Sequence, residues 1–328
     1  MSKLSKHKAI LIGAAFVILA AAPLVINGNY YITILNQIVL NMIVVFGLNF
    51  ITGLTGQMNL GTAGIYAIGA YLSAILSTRF GLPPLLTILI AIFAGFLVGR
   101  GLGYPSLRLR GVYLSLTTLA FTEIVRIFAM NLTDITGGTQ GITDVPRFSI
   151  GPIALDTNVK YFYFVLIIAI IICLISIRIV YSKWGREFRA IRDNVDAIES
   201  LGLDVKKIKI RAFTLAAMYG TCAGALYVHF NQYVTSNTFT TDLSINYVIM
   251  MMIGGIADIF GNMIGTVVVT LLPELLRFLG DYYQITYYIL VFLCAIFMPN
   301  GLVSIYATIK KKFRKRNAAL EGGHENEQ

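Results

Sequence analysis

Residues 161–181 read YFYFVLIIAIIICLISIRIVY, and the only charged side chain in this run belongs to Arg178. An α-helix rises about 1.5 Å per residue, so about 20 residues cross the roughly 30 Å hydrocarbon core of a bilayer. The apolar residues are continuous and do not alternate with polar ones, which favours a helix over a barrel strand. The run therefore predicts a transmembrane helix.

The composition of the whole chain extends this prediction. Of its 328 residues, 57% are hydrophobic and 13% are charged, whereas a soluble domain carries about 25% charged residues. A soluble protein needs polar groups to cover its surface, and lipid removes that need. We predict an all-α integral membrane bundle of about ten transmembrane helices. The expected spans are 9–26, 32–51, 60–78, 84–102, 112–130, 161–181, 210–230, 243–257, 263–279 and 284–298.

The two ends of the chain differ, since the first is basic and then apolar and the last is basic and then polar. Lys3, Lys6 and Lys8 precede the first apolar run, and alanines lie near its end, as in a signal peptide. The run is nevertheless long enough to cross the bilayer, so we expect a retained first helix. Residues 1–309 form the predicted transmembrane domain, and residues 310–328 form a basic and then polar tail.

The net charge of +10 is distributed in a way that argues against nucleic-acid binding. Most of the 26 basic residues fall in segments that share one side if the N-terminus is cytoplasmic. This asymmetry predicts a multi-pass protein of the cell membrane with both termini in the cytoplasm. The exceptions are Arg79, Arg147, Lys160 and Arg277, with Arg126 inside a span.

Motifs of catalytic chemistry are missing from the sequence. It contains no GxxxxGK[ST] phosphate-binding loop, no HExxH and no Cys spacing typical of a metal site. We therefore predict neither catalytic residues nor a metal, and no cofactor bound by this chain.

The segment 182–209 is too polar to span and has apolar residues at helical spacing. Over 185–202 we expect one amphipathic helix that ends at Gly202, since glycine often ends helices. Such a helix either lies on lipid headgroups with Trp184 as an anchor, or docks into a cytoplasmic partner. Its mixed charges favour the partner.

A second segment, 53–64, is rich in glycine at a helix junction. The residues of interest are Gly53, Gly56, Gln57, Asn59, Gly61, Thr62 and Gly64. An ordinary tight turn is one interpretation. The other is a gate or an unwound stretch along a substrate path, because glycine allows a helix to break within a membrane.

Glu123 and Arg126 lie three residues apart within a predicted span, and therefore on one helix face. Charges at membrane depth are costly and usually face the bundle interior. We expect a buried ion pair, whose role is structural or part of transport.

Several motifs resemble those of permease subunits of branched-chain amino-acid ABC importers, and LivM-type subunits more than LivH-type ones. In chain order they are 107–111 (LRLRG), 123–126 (EIVR), 136–138 (TGG), 141–142 (GI), 185–194 (GREFRAIRDN), 201–202 (LG), 254–255 (GG), 272–277 (LPELLR) and 299–301 (PNG). Importer permeases commonly carry an EAAxxxG loop that contacts the ATPase. Asp196, Ala197 and Gly202 keep that spacing, with Asp in place of Glu and Ile198 in place of the second Ala.

The resemblance implies a complex with a second permease subunit, two ABC ATPase subunits and an extracytoplasmic solute-binding protein. ATP would then be hydrolysed by the partner subunits. The implied ATPase-coupling residues are Arg189, Arg192, Asp193, Asp196, Ala197 and Gly202. The implied substrates are leucine, isoleucine and valine. Permeases for urea or short amides share these motifs, and a standalone channel or ion-coupled carrier is a further alternative.

Overall fold

The computed structural model of the protein describes residues 6–25, 28–109, 111–150, 153–297 and 301–302. Their longer helices are α1 (Lys6–Val25), α2 (Asn29–Leu48), α3 (Thr62–Arg79), α4 (Pro84–Gly103), α6 (Val112–Asn131), α8 (Asn158–Val180), α9 (Lys183–Asp193), α11 (Val205–Asn231), α12 (Thr241–Gly254), α13 (Ile259–Leu275) and α14 (Tyr283–Phe297). Shorter helices are α5 (Pro105–Arg108), α7 (Thr133–Thr136) and α10 (Val195–Ser200). Two-residue strands, β1 (Ser149–Ile150) and β2 (Ile153–Ala154), pair antiparallel.

The predicted all-α membrane fold is confirmed. Within the described residues, four segments are long and apolar enough to cross a membrane: Asn29–Leu54, Pro84–Gly103, Val112–Asn131 and Asn158–Val180. The remaining predicted spans correspond to helices that are shorter or more polar, so the number of about ten stays a prediction. The predicted tail 310–328 lies outside the described residues, as do Arg110, Pro299 and Asn300.

The core is built around α11, which packs along both α3 and α4. Small residues permit this contact, because helices in lipid associate through close van der Waals packing. A Cβ added at Gly99 on α4 would lie 2.6 Å from the Cα of Thr214 on α11. On α3 the buried alanines that face the core are Ala63, Ala67, Ala70 and Ala74.

The expected single helix over 185–202 is wrong. Asn194 is extended (φ −161°, ψ 111°) and separates α9 from α10. Its side-chain Oδ1 accepts a hydrogen bond from the backbone N–H of Ala197 at 3.1 Å, which starts the second helix. Asparagine competes with a continuing helix in this way and favours a new N-terminal cap.

Candidate functional site

The glycine-rich residues lie in a break between α2 and α3. α2 continues into a π-helical turn, Asn49–Leu54, and residues 55–61 are unwound before α3 begins at Thr62. Gly56 has φ +70°, a left-handed conformation that costs a residue with a β-carbon about 1 kcal/mol or more. The segment is unwound, and its role as a gate or as part of a substrate path stays a prediction. We call residues 49–61 the first break.

Polar side chains of neighbouring helices anchor the end of the first break. The backbone N–H of Leu60 donates to Thr118 Oγ1 at 2.9 Å, and Thr122 Oγ1 donates to the Leu60 carbonyl at 3.1 Å. The backbone N–H of Ala63 donates to Ser244 Oγ at 2.9 Å. Irregular backbone is tolerated at membrane depth where neighbouring helices satisfy its polar groups. The break is thus held in place by α6 and α12.

Three of the predicted positions serve this close crossing with α6. Asn59 is buried, and its Oδ1 accepts from the backbone N–H of Gly61 at 2.8 Å. A Cβ added at Gly61 would lie 3.1 Å from the carbonyl oxygen of Thr118, and one at Gly64 would lie 2.9 Å from the Cα of Thr122. These glycines allow α6 to approach the start of α3.

Arg192 on α9 connects the polar segment 182–209 to the glycine-rich segment 53–64, which were predicted as separate sites. Its Nη1 donates to the carbonyl oxygen of Gly53, in the π-helical turn, at 2.9 Å. A Cβ added at Gly56 would lie 3.0 Å from Arg192 Cγ. The ring of Phe188 on α9 meets the ring of Phe50 edge-on, with the centroids 6.4 Å apart. α9 therefore contacts the first break through a charged hydrogen bond and an aromatic pair.

Arg189 ties α9 to the end of α8. Its Nη2 donates to the carbonyl oxygen of Val180 at 2.6 Å, and its Nε donates to that of Gly185 at 3.1 Å. The N-terminus of α9 is capped by Ser182, whose Oγ accepts from the backbone N–H of Trp184 at 3.1 Å. These bonds fix the corner between the two helices.

All six residues of the predicted coupling set are exposed to solvent: Arg189, Arg192, Asp193, Asp196, Ala197 and Gly202. Gly202 has φ +75° and its N–H donates to the Glu199 carbonyl at 2.9 Å. It follows the last turn of α10, so the expectation that it ends a helix is confirmed. Arg189 and Arg192 differ from the other four because their guanidinium groups donate to backbone carbonyls of α8 and of the first break.

Glu123 and Arg126 are paired, with Glu123 Oε2 lying 2.8 Å from Arg126 Nη2. The side chains are 31% and 28% exposed, so the expected burial of the pair is wrong. The pair is partly exposed because it lies at the edge of the bundle, next to the outward face of α6. Thr241 Oγ1 also donates to Glu123 Oε1 at 2.7 Å, which links α6 to the start of α12.

A cavity of about 420 Å³ lies between α9 and the first break. Thr52 and Gln57 lie in its wall. Their Oγ1 and Oε1 atoms are buried from solvent and lack a hydrogen-bond partner among the described residues. Arg192 and Lys209 are cationic, and no acidic residue of the described chain lines the cavity. The wall consists of Thr52, Thr55, Gly56, Gln57, Met58, Leu109, Gly111, Leu114, Ile191, Arg192, Val195, Lys209, Val248, Met251, Met252 and Ile256.

Sequence reasoning did not single out Lys209, which is only 4% exposed. A signal was present, because Lys209 lies four residues from both Val205 and Phe213, which are buried on the same face of α11. A lysine on the apolar face of a helix indicates a buried charge with a specific environment. In the described part of the chain, no group of three or more His, Cys, Asp or Glu side chains is placed to hold a metal ion.

The sequence of this chain is similar to those of known transport permeases. Residues 30–299 match the permease component of the branched-chain amino acid transport system. The high-affinity branched-chain amino acid transport system permease protein LivM of Escherichia coli K12 is 32% identical, over 97% of this chain and 79% of its own length. The chain belongs to this permease family.

The permease is also similar to more distant proteins. The LivH permease protein of the same transport system in Salmonella typhimurium is 23% identical, over 80% of this chain and 90% of its own length. The fructose import permease protein FrcC of Rhizobium meliloti is 23% identical, over 82% of this chain and 78% of its own length. No solved structure matches the permease.

The resemblance inferred from the motifs is confirmed, and so is its greater likeness to LivM-type subunits. The permease is a multi-helix membrane component of a transport system. The members of its family are transport subunits and not enzymes.

Proposed function

We propose that this permease is a membrane-spanning subunit of an ABC importer that moves branched-chain amino acids into the cell. The hydrogen bond from Arg192 to Gly53 carries the proposal, because it connects an exposed helical surface to a break in the bundle. The higher identity to LivM than to the fructose permease favours amino acids as substrates.

The proposed partners are a second permease subunit, two ATPase subunits and an extracytoplasmic solute-binding protein. The exposed residues of α9 and α10, among them Asp193, Asp196 and Ala197, form the surface that would contact an ATPase. Both signs of charge are present there, which suits a protein groove better than an anionic lipid surface.

The contacts of α9 give a route for the motion. When the ATPases close on ATP, they would displace α9 and α10 as one surface. Arg189 would carry this motion to α8, since it binds the Val180 carbonyl. Arg192 and Phe188 would carry it to the first break. If the first break has two packed arrangements, a small shift of α9 is enough to move it from one to the other and so to open or close the path.

The cavity beside the break matches the chemistry of the proposed substrates. A branched-chain amino acid has a carboxylate, an ammonium group and an apolar side chain. Arg192 and Lys209 give the cavity wall a positive charge that suits the carboxylate, and Thr52 and Gln57 are polar residues of the same wall. Leu114 and Val248 offer an apolar wall. We therefore assign the cavity to the inner part of the substrate path.

The coupling assignment is tested with Asp196→Arg on the exposed surface of α10. We expect this permease to insert normally and to lose both ATPase association and uptake of labelled leucine. Asp156→Arg, the same reversal on another exposed aspartate, is the matched control for association. If Asp196→Arg retained the ATPases and transported leucine normally, α9 and α10 would not be the docking surface.

The substrate assignment is tested by uptake into proteoliposomes that contain the complete complex and its binding protein. Labelled leucine should accumulate with ATP, and unlabelled isoleucine and valine should compete with it. Accumulation of urea or fructose in place of leucine would overturn the substrate. Uptake without ATP would indicate a standalone carrier.

The proposed orientation has both termini in the cytoplasm. In a variant without Cys173, Cys222 and Cys294, Lys206→Cys should react with an impermeant maleimide only from the cytoplasm, and Gln140→Cys only from outside. The opposite pattern of labelling would invert the topology.

A further inference from the structure

A second groove, of about 470 Å³, opens between α4, α9 and α11. Its polar end is formed by Arg100, Lys207 and Arg211, and its other end by Leu215 and Met218. Lys207, Arg211 and Leu215 are four residues apart on α11 and share one helix face. The helix rises about 16 Å between Lys207 and Met218. The groove thus changes from basic to apolar over the length of a lipid headgroup and part of an acyl chain.

The basic end keeps a positive balance despite nearby carboxylates. Lys207 Nζ lies 3.1 Å from Asp204 Oδ2, and Arg211 Nη1 lies 3.7 Å from Glu187 Oε2. A lysine has three N–H donors and an arginine five, so each retains donors beyond these pairs. Within the described chain, no acidic residue lines the groove itself. Its charge therefore favours a phospholipid headgroup with a net negative charge over a zwitterionic one.

Trp184 forms the wall beside the basic end. It is the single tryptophan of the chain, and the Arg211 guanidinium carbon lies 5.3 Å from the centre of its ring. Tryptophan is enriched at the level of lipid headgroups. The neighbouring surface of α4 exposes Leu89, Phe93 and Leu97 at helical spacing, as a lipid-facing helix does.

We propose that this groove binds one anionic phospholipid from the leaflet on the α9 side. The arginines and Lys207 hold the phosphate, and an acyl chain lies along Leu215 and Met218. Basic pockets between transmembrane helices on the cytoplasmic side are suited to anionic headgroups. The lipid would stabilise the corner where α9 meets α4 and α11. This site does not depend on the substrate or the ATP coupling proposed above.

The single tryptophan supplies a direct test in the purified full chain. The chain is reconstituted in phosphatidylcholine vesicles, and its fluorescence is followed as acyl-brominated phosphatidylglycerol replaces unlabelled lipid. We expect quenching that saturates at a mole fraction about tenfold lower than with brominated phosphatidylcholine, the ratio that follows from one charge-assisted contact. The double variant Arg100→Gln/Lys207→Gln should quench equally with both lipids.

Matched variants and a soluble anion complete the test. Lys207→Arg keeps the charge and should retain the preference, and Lys160→Gln, elsewhere on the chain, should not change it. Soluble glycerol 3-phosphate should leave the quenching unaltered, because it lacks the acyl chain. Equal quenching by the two brominated lipids in the wild-type chain would overturn the site. Displacement by glycerol 3-phosphate would reduce the groove to a site for soluble phosphate, and would also overturn it.

Discussion

Two glycine-rich breaks meet in the bundle, and their glycines serve different purposes. The first break, 49–61, lies between α2 and α3, and the second break, 254–261, joins the end of α12 to the start of α13. They are in contact, because a Cβ added at Gly53 would lie 3.1 Å from the backbone nitrogen of Ala257. Both contain several glycines, and what those glycines contact differs.

In the second break the glycines bring two helices together. A Cβ added at Gly261 on α13 would lie 2.5 Å from the carbonyl oxygen of Gly254 at the end of α12. The side chain of Asp258 caps α13 by accepting from the backbone N–H of Phe260 at 3.3 Å. Backbone packed on backbone leaves no space for rearrangement. We expect the second break to be a fixed joint.

In the first break, Gly56 takes a left-handed conformation and Gly61 allows α6 to approach, while polar side chains hold the backbone. The anchors are single hydrogen bonds, one that Thr118 accepts and two that Thr122 and Arg192 donate, and a cavity lies alongside. Single bonds exchange at low cost, whereas close backbone packing does not. We expect the first break to move during transport and the second to resist motion.

The largest effect is expected for Gly261→Ala in the second break. The added methyl group overlaps the Gly254 backbone, and such overpacking costs about 1–3 kcal/mol or more. Folded, monodisperse permease should be strongly reduced in yield. Gly101→Ala, where nothing lies within 4 Å of the added carbon, is the matched control and should fold normally. A normal yield of Gly261→Ala would show that the second break is loose.

The next effect belongs to Arg192→Gln at the first break. The loss of its hydrogen bond to Gly53 removes a charge-assisted bond worth about 1.5–3 kcal/mol, or about 10- to 100-fold in coupling. Uptake should fall by about tenfold or more while yield and ATPase association stay normal. Arg186→Gln, an exposed arginine of the same helix, should transport normally. Unchanged uptake in Arg192→Gln would separate α9 from the first break.

A smaller effect is expected for Glu123→Gln on α6, the helix that contacts both the first break and α12. The ion pair with Arg126 is partly exposed, so its loss should cost about 1 kcal/mol or less. The melting temperature of the purified permease should fall by about 2–4 °C, with uptake largely retained. Glu199→Gln, on the surface of α10, should leave the melting temperature unaltered. Loss of the folded protein would mean that the pair is buried in the complex.

The smallest effect is expected for Ala257→Gly in the second break. Ala257 has φ +65°, and glycine relieves a left-handed strain of about 1 kcal/mol. The greater conformational entropy of glycine in the unfolded chain offsets most of this gain. The melting temperature should rise slightly, because a fixed joint keeps residue 257 in the left-handed conformation that glycine adopts without strain. Ala197→Gly in α10 should lower it, because glycine is less favourable than alanine in a helix by about 1 kcal/mol. A fall in both variants would contradict the strain at Ala257.

The sequence by itself determined the membrane class and the position of the most apolar helices. The predicted span 112–130 agrees with α6 (Val112–Asn131), and 84–102 agrees with α4 (Pro84–Gly103). Hydrophobicity over about 20 residues is a local property that lipid selects directly. The small residues at helix contacts were also readable, since close packing in lipid requires them. The family followed from local motifs.

Only the tertiary structure decided how these helices meet. Arg192 and Gly53 are 139 residues apart, and no periodicity within either segment shows which partner it will contact. The partial exposure of Glu123 and the burial of Lys209 depend on the neighbours of α6 and α11. The break at Asn194 is different, because its capping bond to Ala197 is local. Asparagine is a preferred N-terminal cap, so this break could have been predicted from the sequence. Local chemistry thus defined the helices and their ends, and packing between distant helices defined the site.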